Sequence, residues 1–231
     1  EMSDLAVKFP STPHLFLLDG VQVRDDKVLS IEERDEFLNH IIIVEEKIDG
    51  ANLGISFDSN CNLILQNRGS QLNLPEVGQW KKLEQWLQSR VDSLFEALSD
   101  RYILFGEWCY AKHSIFYDQL PDWFLAFDIY DKVVNKFLSV RNRNKILFSI
   151  NVESVPFLDT GIFTISDLTG MLRCSQFSKE PAEGIYVRID EGDYLSARAK
   201  LVRASFIQAV DRHWSQFDII PNQVNPEISL A

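Results

Sequence analysis

The sequence predicts an α+β fold of largely antiparallel sheets flanked by helices. Short strand-like runs dominate the chain, turn residues separate neighbouring runs at hairpin distance, and helical periodicity is confined to a few separate stretches. A chain of 231 residues that is 45% hydrophobic can bury one large core. We therefore expect a single domain over residues 1–231.

The first three predicted strands lie between residues 41 and 68. The apolar run Ile41–Val44 reads as a buried strand that leads into Glu45, Glu46 and Lys47. Ala51–Phe57 alternates apolar and polar residues, which is typical of a half-buried strand. The turn sequence DSNCN then leads into NLILQNR, which we expect to pair with it as an antiparallel partner.

Helical spacing follows. Between Pro75 and Ser99, apolar residues recur every three or four positions, which predicts one amphipathic helix. Further helices are expected around Val140–Ile150 and Ile165–Leu172, and a closing helix is indicated by the apolar positions Phe206, Val210 and Trp214. Three later runs, YILFGEW, WFLAFDIY and EGIYVRID, predict additional strands.

Composition excludes several classes of protein. A net charge of −11 argues against a general nucleic-acid coat, which depends on many contacts between basic side chains and phosphates. The positive charges nevertheless cluster, and such clusters are usually solvated faces. The two groups are Arg141, Arg143 and Lys145, and Arg188, Arg198, Lys200 and Arg203.

The chain shows no sign of a membrane or secreted protein. It has no run of about 18 apolar residues and no signal-like start, so we expect a cytoplasmic protein without a membrane partner. Its three cysteines, Cys61, Cys109 and Cys174, form no CxxC pair and are expected to be reduced packing residues.

The sequence Lys47-Ile48-Asp49-Gly50 raises the question of function. By itself K-x-D-G is a weak signal, since a surface lysine followed by an Asp-Gly turn is common. Here it precedes Arg68-Gly69, F-G-E at 105–107, F-L-A-F-D at 124–128, E-G-I-Y-V-R at 183–188 and R-A-K-L-V-R at 198–203. In this order the series resembles the covalent nucleotidyltransferases, the superfamily of DNA and RNA ligases and mRNA capping enzymes, and most closely its RNA ligase branch.

That resemblance implies an ATP-grasp-like adenylation domain and an ATP-dependent RNA ligase. Such an enzyme transfers AMP from ATP to a lysine, here Lys47, and then to an RNA 5′-phosphate, from which a 3′-hydroxyl displaces it. We expect a nicked duplex or a broken loop as substrate, and an end-healing kinase or phosphatase as partner. Only 28 residues follow Arg203, too few for the OB-fold that many such ligases carry after this point.

The resemblance also assigns roles to single residues. Glu46 corresponds to a residue that contacts adenine, Phe127 to a ring that stacks on it, and Glu107 to the ligand of the ribose hydroxyls. Asn52 and Arg68 correspond to residues near the sugar and phosphates, and Glu183 and Asp49 to residues that bind the metal, Mg²⁺ or Mn²⁺. Lys200 corresponds to the lysine that contacts the AMP phosphate, and Arg198 stands where the family usually has a second lysine.

The proposed nucleophile must be deprotonated to react. Lysine has an ordinary pKa of ~10.4, so neighbouring positive charge from a metal, Lys200, Arg198 or Arg68, together with desolvation, is expected to lower the pKa of Lys47. Three alternatives stay open: a DNA nick-sealing ligase, a capping-type guanylyltransferase, and a nucleotide-binding regulatory protein without turnover. His14 and His113 are assigned no catalytic role.

Overall fold

Two antiparallel sheets form the frame of the molecule, whose computed structural model describes residues 7–20, 23, 26–74, 78–203, 218–225 and 227. The first sheet has the strand order β10-β9-β1-β8 and the second the order β4-β3-β2-β5-β6-β7. The first contains β1 (Ile42–Lys47), β8 (Phe157–Gly161), β9 (Gly184–Glu191) and β10 (Tyr194–Val202). The second contains β2 (Ala51–Phe57), β3 (Leu63–Gln66), β4 (Gln71–Leu72), β5 (Tyr102–Trp108), β6 (Phe124–Asp131) and β7 (Lys136–Phe137).

Helices cover the outer faces of both sheets. They are α1 (Ile31–Leu38), α2 (Leu83–Gln88), α3 (Val91–Leu98), α4 (Val140–Ser149) and α5 (Ile165–Gly170), with 3₁₀ turns at Gly78–Trp80 and Met171–Arg173. This arrangement confirms the predicted α+β class of antiparallel sheets flanked by helices. No helix in these described ranges has the length and hydrophobicity that a membrane span requires.

The predicted strands are confirmed, β2 with the bounds that its alternation indicated. The single helix predicted over residues 75–99 is wrong, because the chain forms a 3₁₀ turn and the two short helices α2 and α3 instead. Lys82 enters α2 with a left-handed φ of 73°, and Ser89 and Arg90 separate α2 from α3. These breaks let Trp86 and Leu94 reach the same core. The closing helix predicted from Phe206, Val210 and Trp214 lies outside the described residues.

Three apolar clusters hold the layers together. One packs α2 and α3 against the second sheet, and another packs α1 and α5 against the first sheet. The third cluster joins both sheets, since it includes Phe105, Leu125 and Phe127 of the second sheet and Val202 of β10. The inner faces of the two sheets therefore face each other.

The edge of β10 is covered by the N-terminal segment. Leu15 donates its amide to the carbonyl of Lys200 at 2.8 Å, and Lys200 donates its own amide to the carbonyl of Pro13 at 2.9 Å. Pairing of this kind protects an edge strand from joining another chain. It also fixes the backbone that carries Lys200.

Candidate active site

Strand register brings Glu45, Lys47 and Lys200 to one face of the first sheet. Lys47 lies opposite Gly184, and Glu45 lies opposite Tyr186, which in turn lies opposite Lys200. Directly opposed residues in a sheet share a face, and their chain neighbours point to the other one. Here those neighbours, including Val44 and Leu201, belong to the apolar cluster under α1 and α5. Alternation thus makes one face core and the other a polar site.

The Lys47 ammonium donates to a carboxylate oxygen of Glu183, Oε1. The pair is well shielded, with side-chain exposures of 17% for Lys47 and 5% for Glu183. Gly184 follows Glu183 because a Cβ at this position would collide with the carbonyl oxygen of Leu201. The close approach of β10 therefore explains why an E-G dipeptide is needed here.

Acidic neighbours determine the protonation of Lys47. Burial by itself lowers the pKa of Lys47, but Glu183, Tyr186 and Glu107 together outweigh burial and the net pKa is raised. Burial raises the pKa of Glu107 to about 8 and that of Glu183 to about 7, although Lys47 opposes both shifts. In the ligand-free protein Lys47 is therefore an ammonium, which differs from the lowered pKa that the sequence led us to expect. Two of the basic side chains expected to lower it, Lys200 and Arg198, are paired with other acids.

Three buried oxygen atoms around Lys47 have no hydrogen-bond partner among the described residues. They are Asn52 Oδ1, Glu107 Oε2 and Glu183 Oε2. Asn52 and Glu107 lie opposite each other on β2 and β5, and the charges of Glu107 and Glu183 both act on Lys47. An unsatisfied buried polar group costs about 1–3 kcal/mol, so such a cluster is typical of a site built for a polar ligand.

Asp49 connects the turn after Lys47 to the loop at 113–117. Its Oδ2 accepts hydrogen bonds from the amides of Ser114 at 2.6 Å and Ile115 at 3.1 Å, and its own amide donates to the hydroxyl of Tyr117 at 2.8 Å. His113 lies near the other carboxylate oxygen, with 3.8 Å between His113 Nδ1 and Asp49 Oδ1. Asp49 thus has a positioning role that its place in the sequence did not reveal.

Only Glu183, of the two predicted metal ligands, offers a free buried oxygen. Among the residues that the structure covers, no group of three or more His, Cys, Asp or Glu side chains is arranged to hold a metal ion. Mg²⁺ keeps several waters and takes few protein ligands, so Glu183 Oε2 fits a contact made through water. Asp49 Oδ2 already accepts two amides. Metal binding by Glu183 and Asp49 stays a prediction.

Glu46 and Phe127 lie in separate buried surroundings. Glu46 points to the opposite face of β1 from Lys47, where it accepts from the Ser175 hydroxyl at 2.5 Å and the Gln176 amide at 2.8 Å. Burial raises its pKa despite these bonds. Phe127 lies in the cluster that joins the two sheets and packs edge-on against Phe9, with ring centroids 5.1 Å apart. Their predicted contacts with adenine stay predictions.

The late basic residues are held by acids. Lys200 donates to Asp26 at 2.6 Å; burial lowers the pKa of Lys200, although Asp26 opposes this shift. Arg198 binds Asp128 and stacks over Phe9 at 4.9 Å; burial lowers its pKa to about 10. Neither residue contributes an unpaired charge to a solvated basic face.

Arg68 and His14 complete the surroundings of the site. Arg68 is exposed, and its charge still acts on Glu107 and Lys200. His14 is buried next to Lys200, and burial lowers its pKa to about 4, so it is neutral at physiological pH. Nothing in this environment assigns His14 a catalytic role.

Several contributors escaped the sequence analysis. Asp26, Ser175 and the pair formed by Glu45 and Arg143 carry no motif, and their partners lie far away in the chain. Helix α1 was missed although Ser30 and Glu33 form a capping box that the sequence S-I-E-E could have revealed. Of the cysteines only Cys109 is buried, so the packing role expected for Cys61 and Cys174 is wrong.

Solved structures share this fold. A variant of Naegleria gruberi RNA ligase with ATP and Mn matches with a TM-score of 0.58 and 20% identity, over 77% of this chain and 54% of the other. The same ligase with PPi matches with a TM-score of 0.58 and 21% identity over the same shares, and a variant with AMP and Mn with 0.55 and 18%, over 75% and 53%. The chain therefore spans about half the length of these proteins. The comparison with curated protein sequences found no match.

A family model described as RNA ligase matches residues 40–202, which include every strand of both sheets and nearly all of the candidate site. This match covers well over half of the 231 residues. Together with the nucleotidyltransferase fold of the solved ligases, it shows that the chain belongs to the RNA ligase family.

Proposed function

We propose that the protein is an ATP-dependent RNA ligase that works through a lysyl-AMP intermediate. In this proposal the Lys47 amine attacks the α-phosphate of ATP and pyrophosphate leaves. AMP then passes to an RNA 5′-phosphate, and a 3′-hydroxyl displaces it to close the strand. The observation that carries the proposal is the buried lysine near three oxygens, on Asn52, Glu107 and Glu183, that have no hydrogen-bond partner in the described part of the chain.

The amine must lose its proton before it can attack. Glu183 Oε1 accepts a hydrogen bond from Lys47 Nζ, and we assign it the first contact with that proton. A divalent cation, Mg²⁺ or Mn²⁺, would supply positive charge that lowers the pKa of the amine and stabilises the charge on the transferring phosphoryl group. Glu183, with its second oxygen free, is the residue best suited to hold the cation through water, with Asp49 behind it.

In this proposal the other residues bind different parts of the nucleotide. Glu107 and Asn52, opposed on neighbouring strands, have free acceptor oxygens that suit the ribose hydroxyls. Glu46 and Phe127 are assigned to the adenine, and Arg68, Lys200 and Arg198 to the phosphates. Lys200 would exchange its present partner Asp26 for a phosphate oxygen. Arg198, bound to Asp128, would act at longer range.

The proposed substrate is broken RNA with a 5′-phosphate and a 3′-hydroxyl, as a nicked duplex or an opened loop. An acidic chain has limited affinity for nucleic acid of its own, which favours ends that are already held together by pairing. The proposal places the protein in cytoplasmic RNA repair, where a kinase or phosphatase prepares the ends.

A sealing assay tests this function. RNA nicked in a duplex, RNA opened in a loop, the same strands in DNA and a single strand should each be incubated with ATP and Mg²⁺. We expect joining of the RNA nick or loop, and none with Lys47→Ala. Joining of DNA alone would favour the DNA nick-sealing alternative. Transfer of GMP from GTP to a 5′-diphosphate end would favour the capping alternative. Nucleotide binding without any transfer would favour the regulatory alternative.

A further inference from the structure

A β-bulge lies at the residue assigned to the adenine. On β5 and β6, Phe105 pairs with Asp128 and Gly106 pairs with Ala126, so Phe127 has no directly opposed residue. Extra residues in a strand interrupt the regular ladder and redirect a side chain. The position of Phe127 therefore depends on contacts from outside its own sheet.

Arg143 provides such a contact. It lies on α4, is 1% exposed, and donates from Nη1 to the carbonyl oxygen of Phe127 at 2.6 Å. The same guanidinium binds both carboxylate oxygens of Glu45, at 3.0 and 2.6 Å. Glu45 is two residues before Lys47 on β1. One side chain thus ties the bulge in the second sheet to the strand that carries the nucleophile.

A second arginine supports the arrangement without replacing it. Arg188 Nη1 lies 3.5 Å from the Phe127 carbonyl and 3.7 Å from Glu45 Oε1, and its closer partner is Asp128 at 3.1 Å. Arg143 makes the shorter bonds to both Phe127 and Glu45. The planar guanidinium of arginine can bind a carboxylate with two hydrogen bonds and still donate another to a carbonyl. A lysine ammonium cannot reproduce this geometry.

We propose that Arg143 is a positioning residue that sets Phe127 as the platform for the adenine base, by clamping the bulge carbonyl to Glu45. This inference rests on the proposed function, since it requires that Phe127 contact the base. It gives a specific purpose to one member of the basic group Arg141, Arg143 and Lys145, whose other two members are exposed.

Binding of two ligands separates positioning from general damage. AMP carries the base, whereas pyrophosphate does not, and neither requires turnover. By titration calorimetry, Arg143→Lys should weaken AMP binding about three- to tenfold, the range expected for a misplaced aromatic contact, and leave pyrophosphate binding within about twofold. Arg141→Lys, an exposed change on the same helix, is the matched control and should alter neither.

The charge of Glu45 requires a second variant, since a buried carboxylate without its partner can unfold the protein. The double variant Glu45→Gln with Arg143→Met removes both charges, and it should fold and show the same selective loss for AMP. Equal losses for AMP and pyrophosphate, or no loss for AMP in folded protein, would overturn the inference.

Phe127→Ala, measured in parallel, distinguishes the two levels of the proposal. If Phe127→Ala binds AMP like the wild type, the base platform itself is wrong and the role of Arg143 falls with it. If Phe127→Ala loses AMP binding while Arg143→Lys keeps it, only the role of Arg143 is wrong. A wild type that binds AMP but forms no covalent adduct would contradict the proposed function and leave the result for Arg143 valid.

Discussion

Lys47 rests as an ammonium because the nearest charges are carboxylates. Glu183, Tyr186 and Glu107 raise its pKa, and two of its expected activators are paired with acids, Lys200 with Asp26 and Arg198 with Asp128. A protonated amine cannot attack phosphorus. In the proposed reaction, a nucleotide with its cation therefore has to lower the pKa of Lys47 before the amine can attack.

The acids of the site should cost stability in the ligand-free protein. Burial raises the pKa of Glu107 from an ordinary 4.5 to about 8, so the folded state holds this proton more tightly than the unfolded state does. The free energy of unfolding then falls as pH rises from about 4.5 towards 8. One pKa unit corresponds to about 1.4 kcal/mol, which makes the total effect on the order of a few kcal/mol.

Glu107→Gln should remove this pH dependence. We expect the variant to match the wild type near pH 4.5, to be more stable than the wild type above pH 8, and to bind ATP more weakly. Urea unfolding at a series of pH values measures the difference. Glu96→Gln, on the exposed side of α3, serves as the control. A Glu107 variant that loses stability at high pH would show that this carboxylate supports the fold.

At the scale of elements, the loop at 109–120 is held from both sides. Its Ser114 and Ile115 amides bind Asp49, in the turn that follows Lys47. On its other side, buried Asn222 donates to the carbonyls of Cys109 at 2.8 Å and Ala111 at 3.3 Å and accepts from the Tyr117 amide at 3.0 Å. The segment 218–225 is thus a strap on the loop that positions Asp49.

Removing Asn222 should loosen that loop. Asn222→Ala leaves two carbonyls and one amide with fewer partners, which is expected to lower stability by about 1–3 kcal/mol. It should also slow adduct formation at temperatures where the variant is fully folded, because the turn after Lys47 loses support. Asn225→Ala is the control; it removes a bond of 3.3 Å to Gln119 and one of 3.2 Å from the Glu227 amide, and neither reaches residues 109–117. Unchanged rates in folded Asn222→Ala would separate the strap from the site.

The sequence predicted elements better than it predicted contacts. Alternation was enough to predict β2, because apolar and polar residues alternate between the two faces of a half-buried strand. Periodicity did not reveal the break between α2 and α3, since both helices continue the same apolar spacing. The left-handed backbone conformation of Lys82 does not alter that spacing either. The pairing of Glu45 with Arg143, 98 residues apart, depends on how α4 packs on β6 and cannot be read from local pattern.

At the scale of the whole molecule, two antiparallel sheets bring together residues from Lys47 to Lys200. Their inner faces enclose the candidate site, and the network of Glu45, Asp128, Arg143, Arg188 and Arg198 connects them. The family match ends at residue 202, and the structural match covers only 54% of the solved ligase chain. The residues proposed for adduct formation lie within the matched region, whereas we expect RNA selection to draw on the whole protein. The two steps should therefore be measured separately.

Covalent attachment of AMP to Lys47 is the measurement that tests this account most directly. The protein should be incubated with Mg²⁺ and ATP labelled at the α- or the γ-phosphate, or with α-labelled GTP, then denatured, separated and mapped by peptide mass spectrometry. We predict label from the α-phosphate of ATP alone, on the peptide that contains Lys47, retained in Lys145→Ala and absent in Lys47→Ala. Label on another residue, or label that persists in folded Lys47→Ala, would contradict the account.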